Sequence, residues 1–215
     1  MIKSCVKYNL LMLKNPLILI EFLFLFLLIM LLPTYTQDSF SALTAMFAFS
    51  FYYIPMFLLN QINLSVNATS AVFVTKIPLI NYIKFSIGNS FFSALIYATF
   101  LNAVICLRCG AIAGFQGVFH LWILSVLCFF NTSLLFHSIQ FLTGNRGVGF
   151  LIILFVVFAE QLYFAFTATF SRVPLLVTPI FSATSFWRSI VQILPLCIAY
   201  ISFRVFSLLF RKEDI

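Results

Sequence analysis

The sequence predicts an all-α polytopic membrane protein, because its composition is strongly apolar and its apolar runs are long. Hydrophobic residues make up 63% of the 215 residues and charged residues only 8%, whereas soluble domains have about 45–50% apolar and about 25% charged residues. The mean hydropathy of +1.14 implies more apolar surface than a water-soluble core can hide. The runs are rich in Phe and Leu and lack the alternation of barrel strands, so we expect helices.

Six of these runs are long enough to span a bilayer, since a spanning helix needs about 20 residues to cross about 30 Å of hydrocarbon. They cover residues 16–33, 40–59, 85–107, 118–141, 148–169 and 189–210. We therefore expect one transmembrane domain over residues 1–215, with no room for a soluble domain. No Gly-Lys-Ser/Thr phosphate loop occurs in the chain, so ATP hydrolysis is not expected on it.

The distribution of Lys and Arg predicts a multi-pass protein of the cell membrane with both termini in the cytoplasm. With the amino terminus inside, the inner side holds Lys3, Lys7, Lys14, Lys76, Lys84, Arg146, Arg211 and Lys212. The outer side holds only Arg108, Arg172 and Arg188, and Arg204 lies just within the last span. This bias explains most of the net charge of +7. Because the cations are spread over several inner segments, nucleic-acid binding is not expected.

Two further segments are expected to lie at the membrane without crossing it. Residues 1–14 carry lysines among apolar residues, which predicts a short inner-leaflet helix that ends before Asn15-Pro16. The outer segment 171–188 is apolar but contains Pro174 and Pro179. It is predicted to be re-entrant or interfacial, with its backbone satisfied by neighbouring protein.

The inner loop 60–84 is the longest predicted cytoplasmic segment between spans. Its first part, Asn60–Thr69, is polar, and Ser70–Ile83 then carries apolar residues at mixed three- and four-residue spacing. Pro78 disfavours a single helix, so we expect a short helix, a break at Ile77-Pro78 and a second start that leads into the third span. The pattern alone fits a structured surface for a soluble partner and a simple hinge equally well.

The order of these parts resembles the permease subunit of an ABC-2-type transporter, and the stretch Thr75–Lys84 (Thr-Lys-Ile-Pro-Leu-Ile-Asn-Tyr-Ile-Lys) is its local motif. The resemblance implies that loop 60–84 is a coupling helix that sits in a cleft of a separate ATPase. The implied contact residues are Val72, Phe73, Lys76, Pro78, Tyr82 and Lys84. It also implies two ATPase copies carrying ATP and Mg²⁺, and a second permease subunit, identical or related. Such loops often carry an acidic residue, but Asn60–Val74 has none.

Charged residues near the bilayer centre cost at least about 2.5–3.5 kcal/mol to insert, so they are functional candidates. Glu21 and Arg204 lie at nearly the same predicted depth in the first and last spans, which allows an ion pair. The alternative is that Arg204 snorkels to the inner headgroups and that Glu21 is protonated or hydrated. Glu160 is deeper, and Asn131 at a comparable depth is its predicted hydrogen-bond partner.

The function predicted from the sequence is a permease subunit of an ATP-driven exporter, and the chain itself is not expected to be an enzyme. It lacks HExxH, a GxS nucleophile matched to a histidine and a second carboxylate beside Glu160. Cys106 and Cys109 have no second pair, so no metal is expected. The abundance of Phe, 30 residues, favours an amphipathic or lipophilic cargo: an antimicrobial peptide, drug or lipid-linked molecule. Two alternatives stay open, a proton-coupled transporter that uses Glu160 and a non-transporting immunity or assembly subunit.

Overall fold

The computed structural model describes residues 2–31, 57, 79–109, 114–143, 145–167 and 186–210, and every element in this part is helical. Its helices are α1 (Ile2–Met12), α2 (Pro16–Leu31), α3 (Leu79–Cys109), α4 (Gly114–Thr143), α5 (Arg146–Thr167) and α6 (Phe186–Phe210). The predicted all-α class is confirmed for these residues. Three predicted segments lie outside the described residues: the span 40–59 except Phe57, the loop as far as Pro78, and the outer segment as far as residue 185.

Two of the described helices are long and apolar enough to cross a membrane. The qualifying stretches are Ile83–Val104 in α3 and Trp122–Gln140 in α4. Shorter apolar stretches, Gly147–Val156 and Leu194–Phe206, lie in α5 and α6. With 31 and 30 residues, α3 and α4 are each about 45 Å long at 1.5 Å per residue. Both helices therefore exceed the thickness of the hydrocarbon core.

Asparagines stand at the starts of α2 and α5. The Asn15 carbonyl accepts hydrogen bonds from the Ile18 and Leu19 amides at 3.1 and 3.3 Å, and Pro16 takes the first helical position, where an amide hydrogen is not needed. Asn145 Oδ1 accepts from the Gly147 amide at 2.9 Å, which caps α5. Asn145 therefore caps α5 with its side chain, whereas Asn15 begins α2 through its backbone carbonyl.

Helix α3 is central to the described part, because it contacts α1, α2, α4 and α6. It runs antiparallel to α4. Ser133 Oγ donates to Ser90 Oγ at 2.9 Å near one end of the pair, and Trp122 Nε1 donates to Thr99 Oγ1 at 2.9 Å near the other. These two contacts set which levels of α3 and α4 face each other.

Helices α5 and α6 both pack on α4. Gly149 of α5 lies so close that a Cβ atom there would be 3.5 Å from the backbone nitrogen of Gln140. Helix α6 runs in the same direction as α4, since Cys197 approaches the Leu127 carbonyl and Arg204 approaches the His137 carbonyl. Helix α4 is thereby enclosed by neighbours, and much of it is buried.

An aromatic cluster fills the space between α2, α3 and α4. The Phe22 ring lies 5.1 Å from Tyr97 and 4.2 Å from Phe100, centroid to centroid. Phe57 is completely buried, and its ring lies 5.1 Å from Tyr97 and 4.9 Å from Phe129. Tilted and edge-on rings at these distances add to the burial energy. The cluster fixes the level of α2 against α3.

Candidate functional site

Helix α1 is held against the first turns of α3 by a buried polar contact. Asn9 Nδ2 donates to Asn89 Oδ1 at 2.7 Å and to the Cys5 carbonyl at 2.9 Å. One turn earlier on both helices, Cys5 Sγ lies 3.9 Å from the Phe85 carbonyl. A Cβ atom on Gly88 would lie 3.4 Å from the same sulfur. The two helices therefore run side by side in the same direction over at least one turn.

Small side chains let α3 and α4 approach closely. Ser90, Ala94 and Ala98 recur every four residues on α3 and are at most 1% exposed. This small-xxx-small spacing brings backbones together where the hydrophobic effect does not drive helix association, as in lipid. The hydrogen bond from Ser133 to Ser90 lies in the same interface. The α3–α4 pair therefore packs through small and polar side chains.

Arg204 is buried between α6 and α4 and is only 4% exposed. Its Nη1 donates to the His137 carbonyl at 2.8 Å, and seven residues earlier Cys197 Sγ lies 3.7 Å from the Leu127 carbonyl. Cys197 and Arg204 are seven residues apart on α6, whereas the carbonyls that they contact are ten residues apart on α4. The Arg204 side chain therefore extends about 4–5 Å along the α4 axis. It points towards the end of α4 that the sequence places at the cytoplasmic face.

The ion pair between Glu21 and Arg204 that the sequence allows stays a prediction. The residue after Glu21, Phe22, packs on Tyr97 of α3. The Ser133–Ser90 contact aligns α4 with α3, and it places the His137 carbonyl that receives Arg204 about eleven residues before Tyr97, or about 16 Å along the axis. This difference in level favours separate partners for the two side chains.

Asn131 and Glu160 lie at similar levels, but Asn131 is on a different face of α4 from the one that meets α5. Gly149 of α5 meets α4 at Gln140. Asn131 lies nine residues before Gln140, and Glu160 lies eleven residues after Gly149. The levels of Asn131 and Glu160 along the two helices therefore differ by about 3 Å. Asn131 is one turn beyond Leu127, which faces α6. The Asn131 side chain is buried, and its predicted hydrogen bond to Glu160 stays a prediction. The Glu160 side chain lies outside the described residues.

The predicted coupling residues fall largely outside the described part. Val72, Phe73, Lys76 and Pro78 lie in the undescribed stretch 58–78. Helix α3 begins at Leu79 and includes both other members of the predicted set. These are Tyr82, whose side chain is not described, and Lys84, which is exposed. The last six residues of loop 60–84 therefore form the start of α3, the central helix of the described part.

Among the residues that the structure describes, no group of three His, Cys, Asp or Glu side chains could hold a metal ion. No protein-family model, curated protein or solved structure matches the chain. The functional interpretation therefore depends on the sequence pattern and on the helix contacts described above.

Proposed function

We propose that the chain is a six-span membrane protein whose helices pack through polar side chains and turn apolar ones towards lipid. The buried polar residues of the described part are Asn9, Asn89, Ser90, Ser93, Asn102, Ser125, Asn131, Thr132, Ser133, His137, Ser138 and Arg204. Large apolar side chains are exposed instead, with Leu151 65%, Phe155 70% and Phe206 59% exposed. Soluble proteins rarely combine these two features. The distribution is the one expected when lipid surrounds the helices.

We further propose that this protein is the permease subunit of an ATP-driven ABC exporter in the cell membrane, with both termini in the cytoplasm. One observation carries the proposal: α3 begins at Leu79, within the segment that resembles a coupling helix, and contacts four other helices. A displacement of loop 60–84 would therefore act on α3 and through it on α1, α2, α4 and α6. A passive hinge would need no such central position.

In the proposed cycle, two ATPase subunits bind ATP and Mg²⁺ and close on each other. Their closure displaces the coupling segments of two permease subunits, identical or related. The spans then change between two arrangements and open a path between the subunits, a change driven by different contacts in the two states. The cargo class proposed from the Phe-rich spans is an amphipathic or lipophilic molecule, such as an antimicrobial peptide, a drug or a lipid-linked compound.

Co-purification tests this proposal directly. The full chain is expressed with its genomic neighbours and purified by a tag on this chain alone. We expect an ATPase to be retained by the unaltered chain and lost when residues 72–77 are replaced by Gly/Ser. This replacement ends before Leu79 and leaves α3 intact.

A Gly/Ser replacement of residues 174–179, the same length in the predicted outer segment, serves as the matched control and should retain the ATPase. Full retention by the 72–77 variant would contradict the coupling assignment. Movement of a substrate by the purified chain alone, driven by a proton gradient and stopped by Glu160→Gln, would instead identify a proton-coupled transporter.

A further inference from the structure

The lysines of α1 lie on the side of the helix that faces away from α3. Cys5 and Asn9, which contact α3, are 1% and 4% exposed. At 100° per residue, Lys3 and Lys7 fall roughly opposite these two positions, and both are exposed. Docking on α3 therefore turns the charged face of α1 outwards.

A third exposed lysine, Lys84, belongs to α3 and lies next to its contact with α1. Phe85 packs edge-on against Tyr8 of α1 with ring centroids 6.2 Å apart, and Lys84 immediately precedes Phe85. We call Lys3, Lys7 and Lys84 the lysine patch. Its apolar neighbours Leu10 and Leu11 are 55% and 50% exposed. The patch thus combines positive charge with apolar side chains at the start of α3.

No acidic side chain of α1 or α3 neutralises the lysine patch. The acidic residues of the whole chain are Glu21, Asp38, Glu160, Glu213 and Asp214. Glu21 lies near the level of Tyr97, about twelve residues or about 18 Å along α3 from Phe85. The two helices that form the patch therefore present a uniformly positive surface.

We propose that the lysine patch binds the anionic headgroups of phospholipids in the leaflet where α1 and α3 begin. Each lysine close to an anionic leaflet gains attraction from its surface potential, and Leu10 and Leu11 can enter the boundary between headgroups and acyl chains. The mixture of charge and exposed leucine fits a lipid surface better than an acidic protein surface, which would leave the leucines in water. The proposal requires membrane embedding but not the exporter function.

The test uses the purified full-length chain and two lipids of equal chain length, phosphatidylglycerol and phosphatidylcholine, mixed in equal amounts. Native mass spectrometry counts the lipids of each kind that stay bound. We expect the unaltered chain to retain phosphatidylglycerol preferentially. K3Q/K7Q/K84Q should lower that preference by about tenfold or more, because the attraction grows with each lysine near the surface.

Two controls make the result specific. The lysine-to-arginine version of the three changes keeps the charge and should keep the preference, and K3Q/K7Q should lose part of it even if the triple variant folds poorly. R108Q/R172Q/R188Q removes three charges from the predicted outer side and should leave the preference unchanged. The proposal is overturned if the unaltered chain shows no preference, if the glutamine variants keep it, or if the outer-side variant loses it equally. None of these results depends on an ATPase.

Discussion

At the scale of single residues, buried polar groups of this protein bind amide and carbonyl groups of neighbouring helices. Arg204 donates to the His137 carbonyl and Asn9 to the Asn89 side chain. The sequence indicated that Arg204 lies within a span, but it could not indicate its partner, because every residue has a carbonyl. It also could not pair Asn9 with Asn89, which are 80 residues apart. Polar positions are readable from sequence here, and their partners are not.

The Asn9–Asn89 hydrogen bond can be tested by a double-mutant cycle. Asn9→Ala and Asn89→Ala should each destabilise the protein, because each removes the hydrogen bond between the two helices and leaves the remaining buried amide with one partner fewer. The double variant should cost less than the sum, with a coupling free energy of about 0.5–1.5 kcal/mol. Denaturant titration in mixed micelles measures the free energy of unfolding of all four proteins. Simple additivity of the two costs would show that the bond contributes nothing.

The difference in level between Glu21 and Arg204 predicts the opposite behaviour for that pair. Groups more than about 7–10 Å apart with no shared partner usually have additive effects, within about 0.5 kcal/mol. We therefore expect E21Q and R204Q to add in the same titration. A coupling above about 1 kcal/mol would support the direct ion pair that the sequence suggested.

At the scale of elements, the sequence predicted α1 and the start of a helix after Pro78, but not how α1 is used. The run of lysines and apolar residues predicted an inner-leaflet helix. The structure adds that one side of this helix docks on α3 through Cys5 and Asn9. A sequence signal existed, since Asn9 is two residues, or about 200°, from Lys7. Only the structure shows which helix receives that side.

The docking of α1 on α3 predicts a disulfide after Gly88→Cys. The Cβ position of residue 88 lies 3.4 Å from Cys5 Sγ, which is close to disulfide geometry. Burial raises the pKa of the Cys5 thiol, so its thiolate is scarce at neutral pH and the bond should form faster as pH rises. Peptide mass spectrometry after mild oxidation should find Cys5 linked to the cysteine introduced at position 88. Cys5→Ser removes this link, and its absence from Gly88→Cys itself would show that α1 does not dock here.

The contact between α5 and α4 predicts a size limit at Gly149. A Cβ atom there would lie 3.4 Å from the Phe136 ring and 3.5 Å from the Gln140 nitrogen, so Gly149→Ala should be tolerated. Gly149→Leu should destabilise the fold by about 1–3 kcal/mol, because it forces the helices apart. Ala159→Leu is the matched control on the exposed side of α5 and should be near neutral. A neutral Gly149→Leu would mean that α5 does not pack on α4 in this way.

At the scale of the whole described part, many large apolar side chains are exposed and many polar ones are buried. Composition predicted the first property, since 63% hydrophobic residues cannot all be buried. The second needed the structure, because the helices have apolar residues on all sides and periodicity does not identify the inner face. Ser90, Ser93 and Ala94 mark that face of α3 only once their burial is known.

This arrangement predicts that the depth of a side chain in the membrane, and not its exposed fraction, determines the free-energy cost of a charged substitution there. Phe155 and Leu142 are 70% and 66% exposed. Phe155 is seven residues, or about 10 Å, into the predicted span 148–169, whereas Leu142 is beside the turn. We expect Phe155→Lys to cost about 2.5–3.5 kcal/mol and to reduce the membrane-integrated fraction, measured by alkaline extraction. Leu142→Lys should have little effect. Equal effects would argue against a span at Phe155.

The contact between Asn9 and Asn89 also constrains the order of events during synthesis. At about 5–20 residues per second, Asn89 is made about 4–16 s after Asn9. Until then the Asn9 side-chain amide has no α3 to bind. During this time the lysines of α1 can hold the nascent helix at the headgroups. The amino-terminal helix therefore has two successive environments, first the membrane surface alone and then the groove of a helix translated later. A ribosome-stalled chain that ends before residue 79 would show the first of them.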